Sequence, residues 1–159
     1  MTSGTVYVMD VDDTIILHTK GKHDLYNMNN DTELRDMISG LNHQGFYLYT
    51  NGTYGHGYNV ASNLQLNDIT NTIFARDTIP HMKPYIESFN YVDNIITDYK
   101  RNEYNIIFFD DLIENLITAK KIGWKTIWIS NDFLNKPEFI DYSFPNIYDA
   151  LIHFKLKER

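Results

Sequence analysis

The strongest constraint on the fold is a rhythm of short apolar runs. TVYVMD (5–10), GFYLYT (45–50), YNIIFFD (104–110) and KTIWIS (125–130) are separated by stretches with helical spacing. Runs this short, rich in β-branched and aromatic residues, read as strands buried on both faces. Strands that alternate with helices are joined by crossovers and form a parallel sheet. A weaker strand is expected at NTIFAR (71–76). The expected fold class is therefore α/β.

The intervening stretches support crossover helices. DTELRDMISGLNHQ (31–44) opens with Asp31 or Thr32 before acidic residues and spaces Leu34, Ile38 and Leu41 on one face. HGYNVASNLQL (56–66) sets Val60, Ala61 and Leu64 on a stripe, and Pro84 stands where a first helical turn tolerates it, ahead of Ile86, Phe89 and Ile96. In LIENLITAKKIG (112–123), Leu112, Leu116 and Ala119 share a face, and Gly123 is placed to cap the end. The terminal KLKER reads as a frayed end. No repeat or linker interrupts the 159 residues, a length suited to a single domain spanning 1–159.

Composition narrows the function. A net charge of -7 disfavours an extended nucleic-acid contact surface and favours small substrates. The chain has no cysteine, which excludes disulfides, thiolate metal sites and a cysteine nucleophile, and fits the cytoplasm. No apolar run approaches the ~18 residues a membrane span needs, and MTSGTVYV lacks the layout of a signal peptide. A soluble protein with no membrane partner is expected.

In an open α/β sheet, ligands gather beyond the carboxyl ends of the strands. Here those ends carry Asp10, Asp12, Asp13 and Thr14 after the first run, Thr50, Asn51 and Gly52 after the second, and Asp110 and Asp111 after the third, while Lys83 precedes a helix. Crowded carboxylates repel one another and are costly to bury, so a cation or a proton-transfer task is needed to justify them. Several carboxylate oxygens with room for water and phosphate suit Mg²⁺. Thr50 and the backbone amides of the Asn51-Gly52 turn can donate to anionic oxygens, with Lys83 as a point charge. Asp10, at the strand end, is the natural nucleophile towards phosphorus, and Asp12 the acid/base that protonates the leaving oxygen and then activates water. The bland reading, a solvated turn of acids, accounts for Asp10 and Asp12 alone but not for Thr50, Lys83 and Asp111 in register with them.

Asp10-Val11-Asp12-Asp13-Thr14, then TNG at 50–52, Lys83-Pro84 and FFDD at 108–111 resembles the haloacid dehalogenase (HAD) superfamily phosphatases, with the motifs in order along nearly the whole chain. The resemblance implies a three-layer Rossmann-like core with little or no cap domain, and assigns Asp10 as nucleophile, Asp12 as general acid/base and Lys83 as the lysine that stabilises the phosphorylated aspartate. It makes Thr50 the phosphate-binding hydroxyl, assisted by the Asn51 amide, and gives Thr14 the shaping of the turn. It implies a Mg²⁺ held by Asp111, the Asp10 carboxylate and the Asp12 carbonyl, with Asp110 as a further candidate ligand. Within the superfamily, YTNGTYGHGYNVASNLQL, HMKPYIESF and FFDDLIENLITAKKIGWKTIWI is similar to the pyrimidine 5′-nucleotidase-like branch, where Asn115 finds a counterpart. Gly52 stands where a small residue such as Ala is common, and Leu112 where Ser is common. The short interval after Thr14 leaves no room for that branch's helical cap.

Segment 15–30 then serves as a flap or minimal cap over an open pocket, which a neighbouring copy in a homo-oligomer would be able to close. Thr14, His18, Lys20, Lys22 and Asn115 are its candidate substrate contacts, with His23 and Tyr26 beside them; a plain solvated loop is the competing reading of these residues, and His56 takes the same discount. The expected function is a Mg²⁺-dependent phosphomonoester hydrolase acting on a nucleotide or other small phosphorylated metabolite. Its rivals are a phosphatase of a phosphoprotein or nucleic-acid end, a non-catalytic relative, and a phospho-accepting receiver module. Motif order argues against the receiver, because Thr50 and Lys83 precede the second acid pair.

Overall fold

The computed structural model describes residues 4–17, 32–98 and 104–158. Its strands are β1 (Gly4–Met9), β2 (Gly45–Tyr49), β3 (Thr72–Phe74), β4 (Tyr104–Asp110), β5 (Lys125–Ile129) and β6 (Tyr142–Phe144). They interleave with helices α1 (Glu33–Ser39), α2 (Tyr54–Asn63), α3 (Ile86–Thr97), α4 (Ile113–Lys121) and α5 (Ile147–Lys157). The sheet is parallel throughout, in the order β3-β2-β1-β4-β5-β6. The expected α/β, three-layer Rossmann-like core is thus present.

Alternation along the strands builds two cores. Tyr7 and Met9 of β1 pack with Leu34, Ile38, Val60, Ala61, Leu151 and Phe154 from α1, α2 and α5. Val6 and Val8 pack on the opposite face with Phe89, Val92, Leu116 and Trp124, from α3, α4 and the turn before β5. Both faces of the central strands are covered, which is why those strands read as unbroken apolar runs.

Chain direction reverses its course across the sheet between β1 and β4. From β1 the chain works outward to β2 and β3, then returns to β4, β5 and β6. The loops leaving β1 and β4 therefore diverge, opening a crevice at their carboxyl ends.

Local differences from the expected elements have simple causes. β6 and α5 were not foreseen: β6 is a three-residue edge strand without an apolar run, and α5 carries the supposedly frayed Lys155-Leu156-Lys157 as its last turn. Ile86 and Leu112 lie at helix starts and are exposed, so the buried stripes begin later, at Phe89 and Leu116. Gly123 has φ +93 and follows α4, where its left-handed backbone lets the Trp124 N–H return to the Ala119 carbonyl at 3.1 Å.

Candidate active site

Strand register brings the acids together. Met9 pairs with Phe109, and the Asp10 N–H donates to the Phe109 carbonyl at 2.9 Å, so Asp10 and Asp110 emerge side by side. Asp10 is 7% exposed and Asp110 fully buried. Each carboxylate of Asp10, Asp110 and Asp111 offers an oxygen within 4.8 Å of the others.

Lys83 bridges this cluster from the loop ahead of α3. Its Nζ donates to Asp10 Oδ1 at 3.0 Å, Asp110 Oδ2 at 2.9 Å and the Tyr49 carbonyl at 2.8 Å. The ammonium also lies 4.9 Å from the centre of the Tyr49 ring, a cation–π distance. Burial alone would depress the lysine, since it is only 3% exposed, but Asp10 and Asp110 outweigh that and hold it charged.

The loop after β1 pins the other Asp10 oxygen. Asp13 adopts φ 62, and the N–H groups of Thr14, Ile15 and Ile16 all turn back on the Val11 carbonyl. This tight turn brings the Thr14 hydroxyl to Asp10 Oδ2 at 3.0 Å. Asp10 is thereby held on both oxygens, by Lys83 and by Thr14.

Asp110 is a supporting acid. Its Oδ1 accepts from the Leu112 N–H at 2.9 Å, and its Oδ2 accepts from the Asn115 amide at 3.0 Å as well as from Lys83. Protein donors therefore occupy both oxygens, and Asp10 and Asp111 are the carboxylates best able to turn to a cation. Asn115, an expected substrate contact, is buried beneath this carboxylate, as Thr14 is beneath Asp10. The backbone of Asp111 is fixed by the Trp128 indole N–H, 3.0 Å from its carbonyl.

The second strand contributes a turn. Thr50 is buried, and its Oγ1 accepts from the Gly52 N–H at 2.9 Å, so that amide serves the turn itself; the Thr50 hydroxyl hydrogen and the Asn51 N–H are the donors left for an anion. Asn51 acts in a way not legible in the sequence. Its side chain accepts from the Lys83 N–H and donates to the Lys83 carbonyl, both at 2.9 Å, and so clamps the lysine backbone to the turn.

Charge in the cleft is unbalanced. Burial pushes the Asp10 carboxyl up to about 6, with Asp110 adding to the rise and Lys83 opposing it. Burial, a hydrogen bond to Asp10 and the charge of Asp110 push Asp111 up to about 9. Three carboxylates face one ammonium, and this donor set fits a hard divalent cation held by Asp10 and Asp111.

Asp12 stands at the cleft mouth, where its Oδ1 lies 2.8 Å from His56 Nε2. His56 was discounted in the sequence; the available signal was its place in the first turn of the helix that follows the Thr50 turn. His18, Lys20, Lys22, His23 and Tyr26, and with them most of the expected flap, lie outside the described residues.

The six-stranded parallel sheet covered by helices on both faces is the fold of the haloacid dehalogenase-like hydrolases. Solved structures share that fold with this chain. YfnB from Bacillus subtilis, described as a HAD-hydrolase bound to magnesium, superposes with a TM-score of 0.61 at 24% identity over 76% of this chain and 54% of its own. A predicted phosphoglycolate phosphatase from Haemophilus somnus gives 0.54 at 18% identity, over 69% of this chain and 49% of its own. The L-2-haloacid dehalogenase from Xanthobacter autotrophicus, with chloropropionic acid covalently bound, gives 0.57 at 13% identity, over 74% and 57%. The chain thus spans about half the length of each of these structures. No protein-family model matches the chain, and no curated protein matches it in sequence.

Proposed function

We propose that the protein is a Mg²⁺-dependent phosphomonoester hydrolase working through an aspartyl-phosphate. The observation that carries this reading is the Asp10 carboxylate, pinned by Lys83 on Oδ1 and Thr14 on Oδ2 beside Asp111, with a second acid, Asp12, at the cleft mouth. A carboxylate fixed in this way loses little freedom when it attacks.

Asp10 attacks phosphorus and the P–O bond to the leaving group breaks, while Asp12 supplies the proton that the departing oxygen takes. Asp12, now ionised, removes a proton from water, which attacks phosphorus; the P–O bond to Asp10 breaks, and the carboxylate and inorganic phosphate are restored. Lys83 holds Asp10 in line, and the Thr50 hydroxyl and the Asn51 amide take the non-bridging oxygens. Mg²⁺, when bound by Asp10 and Asp111, with the Asp12 carbonyl and Asp110 as further candidate ligands, supplies the charge that lets a phosphate approach these acids.

A haloalkanoic acid is the alternative substrate suggested by the dehalogenase neighbour. The clustered third carboxylate favours the phosphate, because attack on carbon gives no reason to gather acids that only a cation can reconcile. We place the substrate among nucleotides and other small phosphorylated metabolites. No helix among the described residues is long and apolar enough to cross a membrane.

The test is phosphate release from nucleoside monophosphates, sugar phosphates, a phosphopeptide and a 3′-phosphorylated oligonucleotide, with and without Mg²⁺, beside halide release from 2-chloropropionate. Magnesium-dependent phosphate release, abolished in Asp10→Asn, is expected. Halide release alone, or phosphate release that persists in Asp10→Asn, overturns the reading.

A further inference from the structure

Asp12 does not stand alone at the cleft mouth. His56 Nε2 lies 2.8 Å from Asp12 Oδ1, the two side chains being 38% and 35% exposed. Three separate features of the chain converge to place that ring.

The backbone comes first. Thr53 caps α2, its hydroxyl accepting from the His56 N–H at 3.2 Å, and the neighbouring Tyr54 N–H donates to Asp77 Oδ1 at 2.7 Å. His56 therefore leaves a first helical turn tied down on both its near sides. Space comes second. A Cβ added at Gly52 would lie 3.1 Å from His56 Cδ2 and 3.3 Å from Thr50 Oγ1, tighter than ordinary van der Waals contact. The absence of a side chain at 52 leaves room for the imidazole across the Thr50 turn. The acid comes third. The backbone bridge between Asp12 and Ile16 fixes where the Asp12 Cβ emerges.

We infer that His56 is a positioning residue for the general acid/base, with Gly52 as the gap that admits it. This inference rests on the phosphomonoesterase reading of the site. An Nε2–H donated to Oδ1 holds the Asp12 carboxyl in one rotamer and assigns the exchangeable proton to Oδ2. That proton goes to the leaving oxygen in the first half-reaction and returns from water in the second. His56 forms no bond to the substrate and exchanges no proton with it.

Proton donation matters only when the leaving group needs it. An alkyl phosphate departs as an alkoxide and depends on the acid, whereas 2,4-dinitrophenyl phosphate departs as a stable phenolate. A misplaced catalytic group costs up to ~10²-fold in rate. His56→Ala is therefore expected to lower kcat/KM for an alkyl phosphate by roughly 10- to 100-fold while leaving that for the dinitrophenyl ester nearly unchanged. His56→Gln, whose amide nitrogen reaches the same place, restores most of the loss. His56→Ala adds nothing on an Asp12→Ala background.

Equal losses on both esters, no loss on either, or a Gln variant as poor as Ala overturns the role of His56 while wild-type turnover keeps the phosphatase reading. Wild-type protein that hydrolyses neither ester overturns the phosphatase reading, and this inference with it.

Discussion

Lys83→Met is the sharpest probe of how the cleft is held together. Methionine keeps the apolar stem but removes an ammonium that is 3% exposed and donates to Asp10, Asp110 and the Tyr49 carbonyl. Removing one partner of a buried ion pair costs ~3–5 kcal/mol, because the other is left charged without compensation. The cation–π contact with Tyr49, at 4.9 Å, contributes on top of this. We expect a loss within that range, a large share of the ~5–15 kcal/mol that holds a domain folded.

The loss must depend on pH. Asp10 already sits up at about 6 with the lysine present, and without it the carboxyl rises further. A carboxyl that is raised in the folded state binds protons more tightly there than in the unfolded chain, so stability falls as pH rises through the window between the two values. The penalty of Lys83→Met should be full near pH ~8 and much smaller near pH ~4.5, where Asp10 is protonated. Urea unfolding of both proteins at the two pH values, with a chelator present, measures this directly. A loss under ~1 kcal/mol at the higher pH, within the range of an exposed pair, or an equal loss at both pH values, would refute the reasoning.

Two further outcomes follow from the same geometry. Asp10 at about 6 and Asp111 at about 9 hold protons that a cation must displace, so thermal stabilisation by Mg²⁺ should grow as pH rises from ~6 to ~9, while the protein in chelator loses stability over the same range; a Mg²⁺ shift independent of pH contradicts the metal site. Asn51→Ala removes both hydrogen bonds to the Lys83 backbone and should cost ~1–3 kcal/mol together with a fall in kcat, read by urea unfolding and phosphate release; unchanged turnover would detach Asn51 from the placement of Lys83.

Much of the site was legible because strand ends in a parallel sheet are read in register. Once VYVMD and IIFFD are adjacent strands, Asp10 and the Asp110-Asp111 pair must meet, and the spacing of TNG and Lys83 brings them to the same edge. What the residues did not disclose is that protein donors occupy both oxygens of Asp110. Phe108 and Phe109 are both fully buried because helices cover both faces of the sheet, so no polarity pattern shows which way Asp110 points. β6 escaped because a half-buried, three-residue edge strand makes no apolar run. α5 carries a readable spacing in Ile147, Ala150, Leu151 and Phe154, behind an Asn146 cap that accepts from the Asp149 N–H. His56 could not be paired with Asp12 from sequence, because the contact forms only when the first turn of α2 folds over the end of β1.

The central claim is that Asp10 carries the phosphoryl group. Mixing the protein with its best phosphomonoester and Mg²⁺, quenching in acid within one turnover and reducing with borohydride converts an acyl-phosphate at an aspartate to homoserine, which peptide mass spectrometry locates. The account predicts homoserine at position 10, dependent on substrate and absent from Asp10→Asn. Phosphate release with Asp10 unmodified throughout the turnover, or with the label on another residue, would contradict it.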